Sequence, residues 1–260
     1  MSDNVTFEGD WGVNKDTVNT YLRECVLAVD NLTSFKRGKG FSKIVGNDVR
    51  KELVARRFMS YLNANFPELI SRVDLFKIND LYGAPRMYRL HGIDISPGTL
   101  RYMKVLSDII HFQPRSVVEI GSGYGGQALV IKKWFSEVQY TLIDLKEPLL
   151  LAEHYLKQTC PNDEFTYLTA DNIKVSAYDL VISDYCLSEL DSKGVDFYVD
   201  NVIRHCARGY FSVNIPEGER RDYLLGKLRE VFDEVKVEDE HPKTSRHPNV
   251  AVICSGNVNE

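Results

Sequence analysis

The chain has 260 residues, of which 43% are hydrophobic and 27% charged, a composition typical of a globular protein with one large core or one core and a small accessory domain. Its formal net charge of -5 excludes a whole-chain basic field, so we expect no nucleic-acid partner. No apolar run reaches the length of a membrane span. The five cysteines are far apart and form no C-x-x-C pair, which predicts a reduced cytoplasmic protein without a metal site.

Residues 1–112 have helical periodicity, and we predict that they form a helical N-terminal extension that shapes an acceptor site. One apolar stripe runs over Val18–Val29 and another over Leu53–Phe66. Between them lies Phe35–Phe41, which contains three cations and two glycines. This composition predicts a solvated turn, with a phosphate grip for a nucleotide acceptor as the alternative.

Two further segments of the extension have clearer signals. Ser96 and Pro97 provide an N-cap and a first-turn proline for a helix that ends before Pro114. The preceding segment, Asn79–Gly92, is rich in turn formers and aromatic residues. It is therefore predicted to be an ordered loop.

Residues 113–260 alternate between strand and helix patterns, which predicts an α/β domain with a mostly parallel sheet. The last two of seven predicted strands are joined by a loop of only about ten residues, so they should form an antiparallel hairpin. The predicted strands are Ser116–Ile120, Tyr140–Asp144, Phe165–Thr169, Tyr178–Ser183, Tyr210–Asn214, Glu234–Glu238 and Asn249–Cys254.

A glycine-rich turn follows the first of these strands. Gly121, Gly123 and Gly126 satisfy G-x-G-x-x-G at a helix N-terminus, where backbone N–H groups and the helix dipole can face a ligand. This pattern alone also fits a dinucleotide site. Glu119, two residues before the first glycine, would repel a pyrophosphate but could accept a hydrogen bond from an ammonium group or order the loop.

The second strand ends in Asp144, which is suitably placed for a bidentate hydrogen bond to two ribose hydroxyls of an adenosyl or NAD ligand. Only residues 127–260 follow the glycines, and they end in the hairpin, which leaves little room for a second mononucleotide half. We therefore expect the ligand to be one nucleoside with a charged amino-acid tail.

These motifs form an ordered set that resembles the class I S-adenosylmethionine-dependent methyltransferases. The matching segments are Glu119–Gly126, Thr141–Leu145, Thr169–Asn172 and Asp179–Asp184. The resemblance implies a Rossmann-like fold, S-adenosylmethionine as cofactor and S-adenosylhomocysteine as product. It assigns the donor contacts to Glu119, Gly121, Ser122, Gly123, Tyr124, Gln127, Asp144, Leu145, Asp171, Asn172 and Ser183.

A narrower resemblance covers most of the chain after residue 50. Asn79–Pro85, Ile95–Tyr102, Gly123–Gln127, Ser183–Leu190 and Arg208–Tyr210 are similar to the family described as sugar O-methyltransferases. It implies methyl transfer to a sugar hydroxyl of a nucleotide sugar or glycan precursor. One departure is Asp184, where this family would have Asn, so Asp184 could be a base or a tolerated substitution.

Methyl transfer to a hydroxyl calls for a proton acceptor. Candidate bases are Asp184 and Glu189 after the fourth strand, and His241 and His247 in the loop before the last one. Of these, Asp184, Glu189 and His247 are the catalytic candidates that we select. The alternative for Glu189 is a carboxylate that only stabilises a helix dipole, and for His247 an idle surface imidazole.

For the acceptor, we expect contacts from Tyr185, Arg86 and Tyr102, although Tyr185 could instead be a buried aromatic residue. No acidic cluster follows the fourth strand, because Tyr185 and Cys186 come directly after Asp184, so no metal is expected. Acceptors other than a sugar remain open, namely another small molecule or a protein. A non-catalytic S-adenosylmethionine-binding protein and a homodimer also remain open.

Overall fold

The computed structural model describes residues 15–45, 52–244 and 249–257, and the extension is mainly helical, as the periodicity predicts. Ser96 caps α6 by accepting a hydrogen bond from the Thr99 N–H, which confirms the predicted helix start. The helices are α1 (Lys15–Val29), α2 (Lys39–Ile44), α3 (Glu52–Asn65), α4 (Pro67–Ser71), α5 (Val73–Phe76) and α6 (Pro97–Ile109), with 3-10 turns at Phe35–Arg37, Lys77–Leu81 and Ile110–Phe112.

Two segments of the extension differ from their predicted structure. Asn79–Gly92 is not a loop throughout, because β1 (Tyr88–Leu90) and β2 (Ile93–Ile95) pair as an antiparallel hairpin. His91 and Gly92 form its two-residue turn, and both have positive φ (49° and 82°), the conformation that such tight turns require.

The segment Phe35–Phe41 is not a solvated turn either. It folds into a 3-10 turn and the start of α2, and Phe35 and Phe41 are 7% and 0% exposed. These two rings anchor the segment in the core and take Lys36 with them, so that Lys36 is only 3% exposed. Burial of the flanking aromatic residues therefore overrides the solvation expected for a cationic stretch.

The C-terminal part forms the seven-stranded sheet, in the order β5-β4-β3-β6-β7-β9-β8. Strands β3 to β7 run parallel, whereas β9 is antiparallel to both β7 and β8, so the predicted hairpin and α/β architecture are confirmed. The strands are β3 (Ser116–Ile120), β4 (Gln139–Ile143), β5 (Thr166–Leu168), β6 (Leu180–Asp184), β7 (Arg208–Val213), β8 (Phe232–Asp239) and β9 (Val250–Asn257).

The connecting helices cover both faces of this sheet. Successive side chains of a strand point to opposite faces, so Val117 joins the core cluster that contains the extension, whereas Val118 joins the cluster on the other face. The helices are α7 (Gly126–Trp134), α8 (Lys146–Thr159), α9 (Ser192–Asn201) and α10 (Glu219–Arg229), with 3-10 turns at Ala170–Asn172, Cys186–Glu189 and Ile203–His205. None of the helices in these described ranges has the length and apolar character needed to cross a membrane.

A stability prediction follows from the close approach of α1 and α2. A Cβ at Gly40 would lie 2.5 Å from the backbone N of Tyr21 and 2.7 Å from its Cα, so Gly40→Ala should lower the free energy of unfolding by about 1–3 kcal/mol. Gly226→Ala is the matched control, because Gly226 has open space around it within α10 and should gain about 1 kcal/mol. Urea unfolding of both variants measures the two effects, and equal shifts would contradict the tight helix crossing.

Candidate functional site

Three carboxylates lie near the carboxyl ends of three adjacent strands. Glu119 is on β3, Asp144 directly follows β4, and Asp184 ends β6, and these strands are neighbours in the order β4-β3-β6. Parallel strands place their carboxyl ends at one edge of a sheet, which is where ligands bind in folds of this kind. The structure therefore brings together three residues that the sequence predicted for the site.

Asp144 organises the glycine loop that follows β3. One carboxylate oxygen accepts a hydrogen bond from the Gly123 N–H (2.7 Å) and the other accepts one from the Leu145 N–H (2.7 Å). Burial raises the pKa of Asp144 to about 6, although these two N–H groups act in the opposite direction. Each oxygen keeps a lone pair that can accept a ligand hydroxyl.

Glu119 is 2% exposed and accepts a hydrogen bond from the Tyr140 hydroxyl (2.9 Å). Burial raises the pKa of Glu119 well above its ordinary value, and the nearby Asp184 and Asp144 act in the same direction. The neutral form is therefore favoured until a cation approaches. This is compatible with the predicted contact to an ammonium group.

Several buried polar atoms near the glycine loop have no hydrogen-bond partner in the described part of the chain. They are Ser122 Oγ, Gln127 Oε1 and Arg101 Nε, and the fourth such atom, on Arg221, belongs to α10. An unpaired buried polar group costs about 1–3 kcal/mol, so their concentration here indicates room for a polar ligand. Together with the loop amides and Asp144, these residues fit a nucleoside with an amino-acid tail.

The other predicted donor residues have different surroundings. Leu145 precedes α8, Ser183 Oγ accepts a hydrogen bond from the Leu187 N–H (3.2 Å), and Asp171 and Asn172 are exposed in the turn that follows β5. Gly121 allows the chain after β6 to come close, because a side chain there would overlap Cys186. The Tyr124 side chain is 2% exposed and donates its hydroxyl to Asn79 of the extension.

Glu189 and Asp184 are the two catalytic candidates that the described ranges include, because His247 lies outside them. Burial, followed by the charges of Asp144 and Asp184, raises the pKa of Glu189 to about 7. The N-cap of α9 is Asp191, which accepts a hydrogen bond from the Gly194 N–H, so Glu189 does not serve as that cap. Asp184 Oδ2 lies 3.5 Å from Arg101 Nε.

A narrow cavity of about 20 Å³ adjoins Asp184 and is bordered by α6, β6, β7 and the start of β9. Tyr185 has φ 70° and donates its hydroxyl to Glu240, across this cavity from α6. No local sequence signal marks Glu240, because it comes from the loop between two strands and reaches Tyr185 only through the tertiary fold. The residues lining the cavity include Phe58, Arg101, Lys104, Tyr210, Ser212 and His241.

The remaining predicted acceptor residues do not line this cavity. Arg86 is exposed in the loop before β1, and Tyr102 is 5% exposed on α6 with its ring 6.2 Å from that of Tyr124. A larger cavity of about 380 Å³ lies between α9, α10 and the turn after β6 and contains none of the predicted site residues. Within residues 15–45, 52–244 and 249–257, no three His, Cys, Asp or Glu side chains are grouped to hold a metal ion.

One solved structure supports the fold assignment, and two others have lower similarity scores. A candidate O-methyltransferase from Nostoc punctiforme matches with a TM-score of 0.51 and 10% identity, covering 59% of this chain and 55% of that one. An O-methyltransferase family protein from Burkholderia thailandensis matches at 0.45 and 12%, covering 62% and 58%. The N-methyltransferase NodS from Bradyrhizobium japonicum, in complex with S-adenosylhomocysteine, matches at 0.47 and 15%, covering 60% and 87%.

The chain thus has the fold of the class I S-adenosylmethionine-dependent methyltransferases, and it spans a little more than half the length of the first two of these proteins. More particularly, the family model described as mitochondrial small ribosomal subunit Rsm22 matches residues 100–246, which is more than half of the chain. The chain belongs to this family. No curated protein gives a significant match.

The raised pKa of Glu189 predicts a pH-dependent stability. In the folded state Glu189 has a pKa of about 7, which is above the ordinary value that it has in the unfolded chain. Protonation of Glu189 therefore stabilises the folded state fully at pH values below that ordinary value. This stabilisation is lost as the pH rises through 7. Glu189→Gln does not titrate, so its free energy of unfolding should rise relative to that of the wild type by about 1–3 kcal/mol between about pH 5 and pH 7.5.

Urea unfolding at both pH values measures this difference. Glu164→Gln, which replaces an exposed carboxyl, is the reference for the substitution itself. A difference for Glu189→Gln that stays constant with pH would contradict the raised pKa of this half-buried side chain.

Proposed function

We propose that the protein is an S-adenosylmethionine-dependent O-methyltransferase that acts on a sugar hydroxyl of a nucleotide sugar or a glycan precursor. The observation that carries the proposal is the meeting of three carboxylates, a glycine loop and unpartnered buried polar atoms at one edge of a parallel sheet. The methyltransferase fold and the motifs in Glu119–Gly126 and Asp179–Asp184 support the same assignment.

The donor would be held by residues of β3, β4 and the loop between β3 and α7. Asp144 would accept the two ribose hydroxyls, and Glu119 would become ionised beside the ammonium group of the amino-acid tail. Ser122 and Gln127 have the free polar atoms that such a tail can satisfy. When bound, S-adenosylmethionine supplies an activated methyl group on a sulfonium.

Glu189 is the proposed general base. With a pKa of about 7 it is partly ionised at neutral pH, where a base is most effective. It would take the hydroxyl proton as the acceptor oxygen bonds to the methyl carbon, while the bond between that carbon and the sulfonium sulfur breaks and S-adenosylhomocysteine leaves. Asp184 is paired with Arg101, so we assign it to orienting the acceptor. His247 stays a candidate from the sequence alone.

The acceptor would bind beside Asp184, where Tyr185, Glu240 and His241 offer hydroxyl, carboxylate and imidazole groups. Such groups suit the many hydroxyls of a sugar. A volume of about 20 Å³ holds about one water molecule, so this cavity must widen to admit a sugar. We propose that residues 1–112 form the unit that shapes this acceptor side and that residues 113–260 form the donor-binding unit.

One specific observation favours a second acceptor. The matched family is described as a mitochondrial small ribosomal subunit family, which supports a ribosomal acceptor rather than a free sugar. The net charge of -5 does not favour broad contact with nucleic acid. The donor chemistry is the same for both acceptors.

The donor assignment predicts that calorimetry detects binding of S-adenosylhomocysteine. Asp144→Ala should weaken this binding by about 10-fold to 100-fold, because two hydrogen bonds to the ribose are lost. Asp200→Ala, on the exposed side of α9, is the matched control and should bind as the wild type does. Absence of binding by the wild type would refute the donor assignment.

The acceptor assignment predicts that methyl-labelled S-adenosylmethionine transfers its label to one or more members of a panel of nucleotide sugars. Glu189→Gln should lower kcat by about 10²-fold to 10⁴-fold with unchanged affinity for S-adenosylhomocysteine, because a general base contributes this much. Glu164→Gln is the control. Label found only in small ribosomal subunits would favour the second acceptor, and full activity of Glu189→Gln would refute its role.

A further inference from the structure

A buried group of polar side chains connects the extension to the glycine loop. It consists of Lys36, Asn79, Tyr124 and Tyr155, and we call it the Asn79 hub. Asn79 is 1% exposed, and its side-chain oxygen accepts hydrogen bonds from Lys36 Nζ (3.0 Å), the Tyr124 hydroxyl (2.9 Å) and the Tyr155 hydroxyl (2.7 Å). Lys36 also donates to the backbone carbonyl of Asn79. One amide group thus ties together three parts of the chain.

The orientation of the Asn79 amide is fixed on its other side. Its Nδ2 donates to Thr99 Oγ1 (2.8 Å), and the Thr99 hydroxyl donates in turn to Asp80 Oδ1 (2.6 Å). Since the single Thr99 proton is used on Asp80, Thr99 can only accept from the amide. The amide oxygen therefore faces the three donors of the hub.

Burial of Lys36 carries a desolvation cost because its ammonium leaves water. Its ammonium lies 4.8 Å from the centre of the Tyr124 ring, and burial lowers its pKa to about 7. Gly83 makes room for its stem, because a Cβ there would lie 2.5 Å from Lys36 Cγ. Apolar side chains of similar size would pack these segments at a lower desolvation cost.

The hub acts directly on the glycine loop through Tyr124, which belongs to the sequence Gly121–Gly126. Its ring contacts the rings of Phe35, Phe41 and Tyr155, at centroid distances of 5.3, 5.5 and 5.1 Å. A Cβ at Gly126 would lie 2.5 Å from the Tyr124 hydroxyl oxygen, so this side chain lies directly over the start of α7. Fixing the Tyr124 hydroxyl therefore fixes the path of the loop.

We propose that Lys36, Asn79 and Tyr124 are positioning residues that hold the glycine loop in its ligand-binding conformation, so that donor binding depends on the N-terminal extension. The identity of the donor rests on the proposed function, whereas the ordering of the loop does not. These three residues act through the loop and are not assigned a contact with the reacting atoms.

A matched pair of variants separates positioning from general stabilisation. Tyr124→Phe and Tyr155→Phe each remove one hydrogen bond to the same Asn79 oxygen, and Tyr124→Phe also removes the hydrogen bond between Tyr124 and Tyr102. Only Tyr124 belongs to the glycine loop, because Tyr155 is on α8. A purely structural hub would make the two variants equivalent.

Hydrogen exchange of the ligand-free protein and calorimetry with S-adenosylhomocysteine provide the two measurements. Tyr124→Phe should raise the exchange rate of the Ser122–Gly126 amides by about threefold to tenfold, the effect of one lost hydrogen bond, and weaken ligand binding by a similar factor. Tyr155→Phe should change the unfolding midpoint without changing either quantity.

A second pair tests the cation. Lys36→Met should weaken the protection of the loop amides from hydrogen exchange. Lys132→Met is the control and should not weaken it. Lys132 is also buried (9% exposed), but it donates to the Val138 carbonyl (2.9 Å). Equal loop exchange in Tyr124→Phe and Tyr155→Phe, or unchanged exchange in Tyr124→Phe, would overturn the inference. If Tyr124→Phe loses loop protection but the wild type does not bind S-adenosylhomocysteine, the positioning role is supported and the donor assignment is refuted.

Discussion

The site depends on holding three carboxylates close together with little access to water. Like charges in such surroundings repel one another, and the structure compensates each group differently. Arg101 lies beside Asp184, two backbone N–H groups donate to Asp144, and the Tyr140 hydroxyl donates to Glu119. This edge of the sheet is thus short of positive charge. A ligand that carries an ammonium and a sulfonium suits it better than one that carries a pyrophosphate.

The extension provides contacts that fix the glycine loop and that the sheet does not provide. A loop rich in glycine has few side chains with which to fix itself, so its conformation must come from packing against other segments. Tyr124 is the large side chain of the loop, and it contacts Phe35, Phe41 and Asn79 of the extension. One core cluster accordingly includes residues of α1, α3 and α6 together with residues of β3 and β4. The extension therefore packs directly against the glycine loop.

The sheet and the main site motifs could be predicted from the sequence because their signals are local. Alternation of short apolar runs with helical stripes gave all seven strands, and the spacing of Glu119, Gly121 and Asp144 gave the strand-end group. The burial of Lys36 could not be predicted, since Asn79 lies 43 positions away along the chain. The hairpin of β1 and β2 was missed because each strand has only three residues, too few to show an alternating apolar pattern.

The departure at position 184 bears on which acceptor the cavity suits. An Asn there would leave Arg101 without its carboxylate, whereas Asp184 lies 3.5 Å from it. The other cation of the cavity, Lys104, is paired with Asp108 at 2.5 Å. Both positive charges are thus compensated, and phosphate recognition calls for cations that are free to meet it. The lining of the cavity beside Asp184 therefore does not favour a phosphate group.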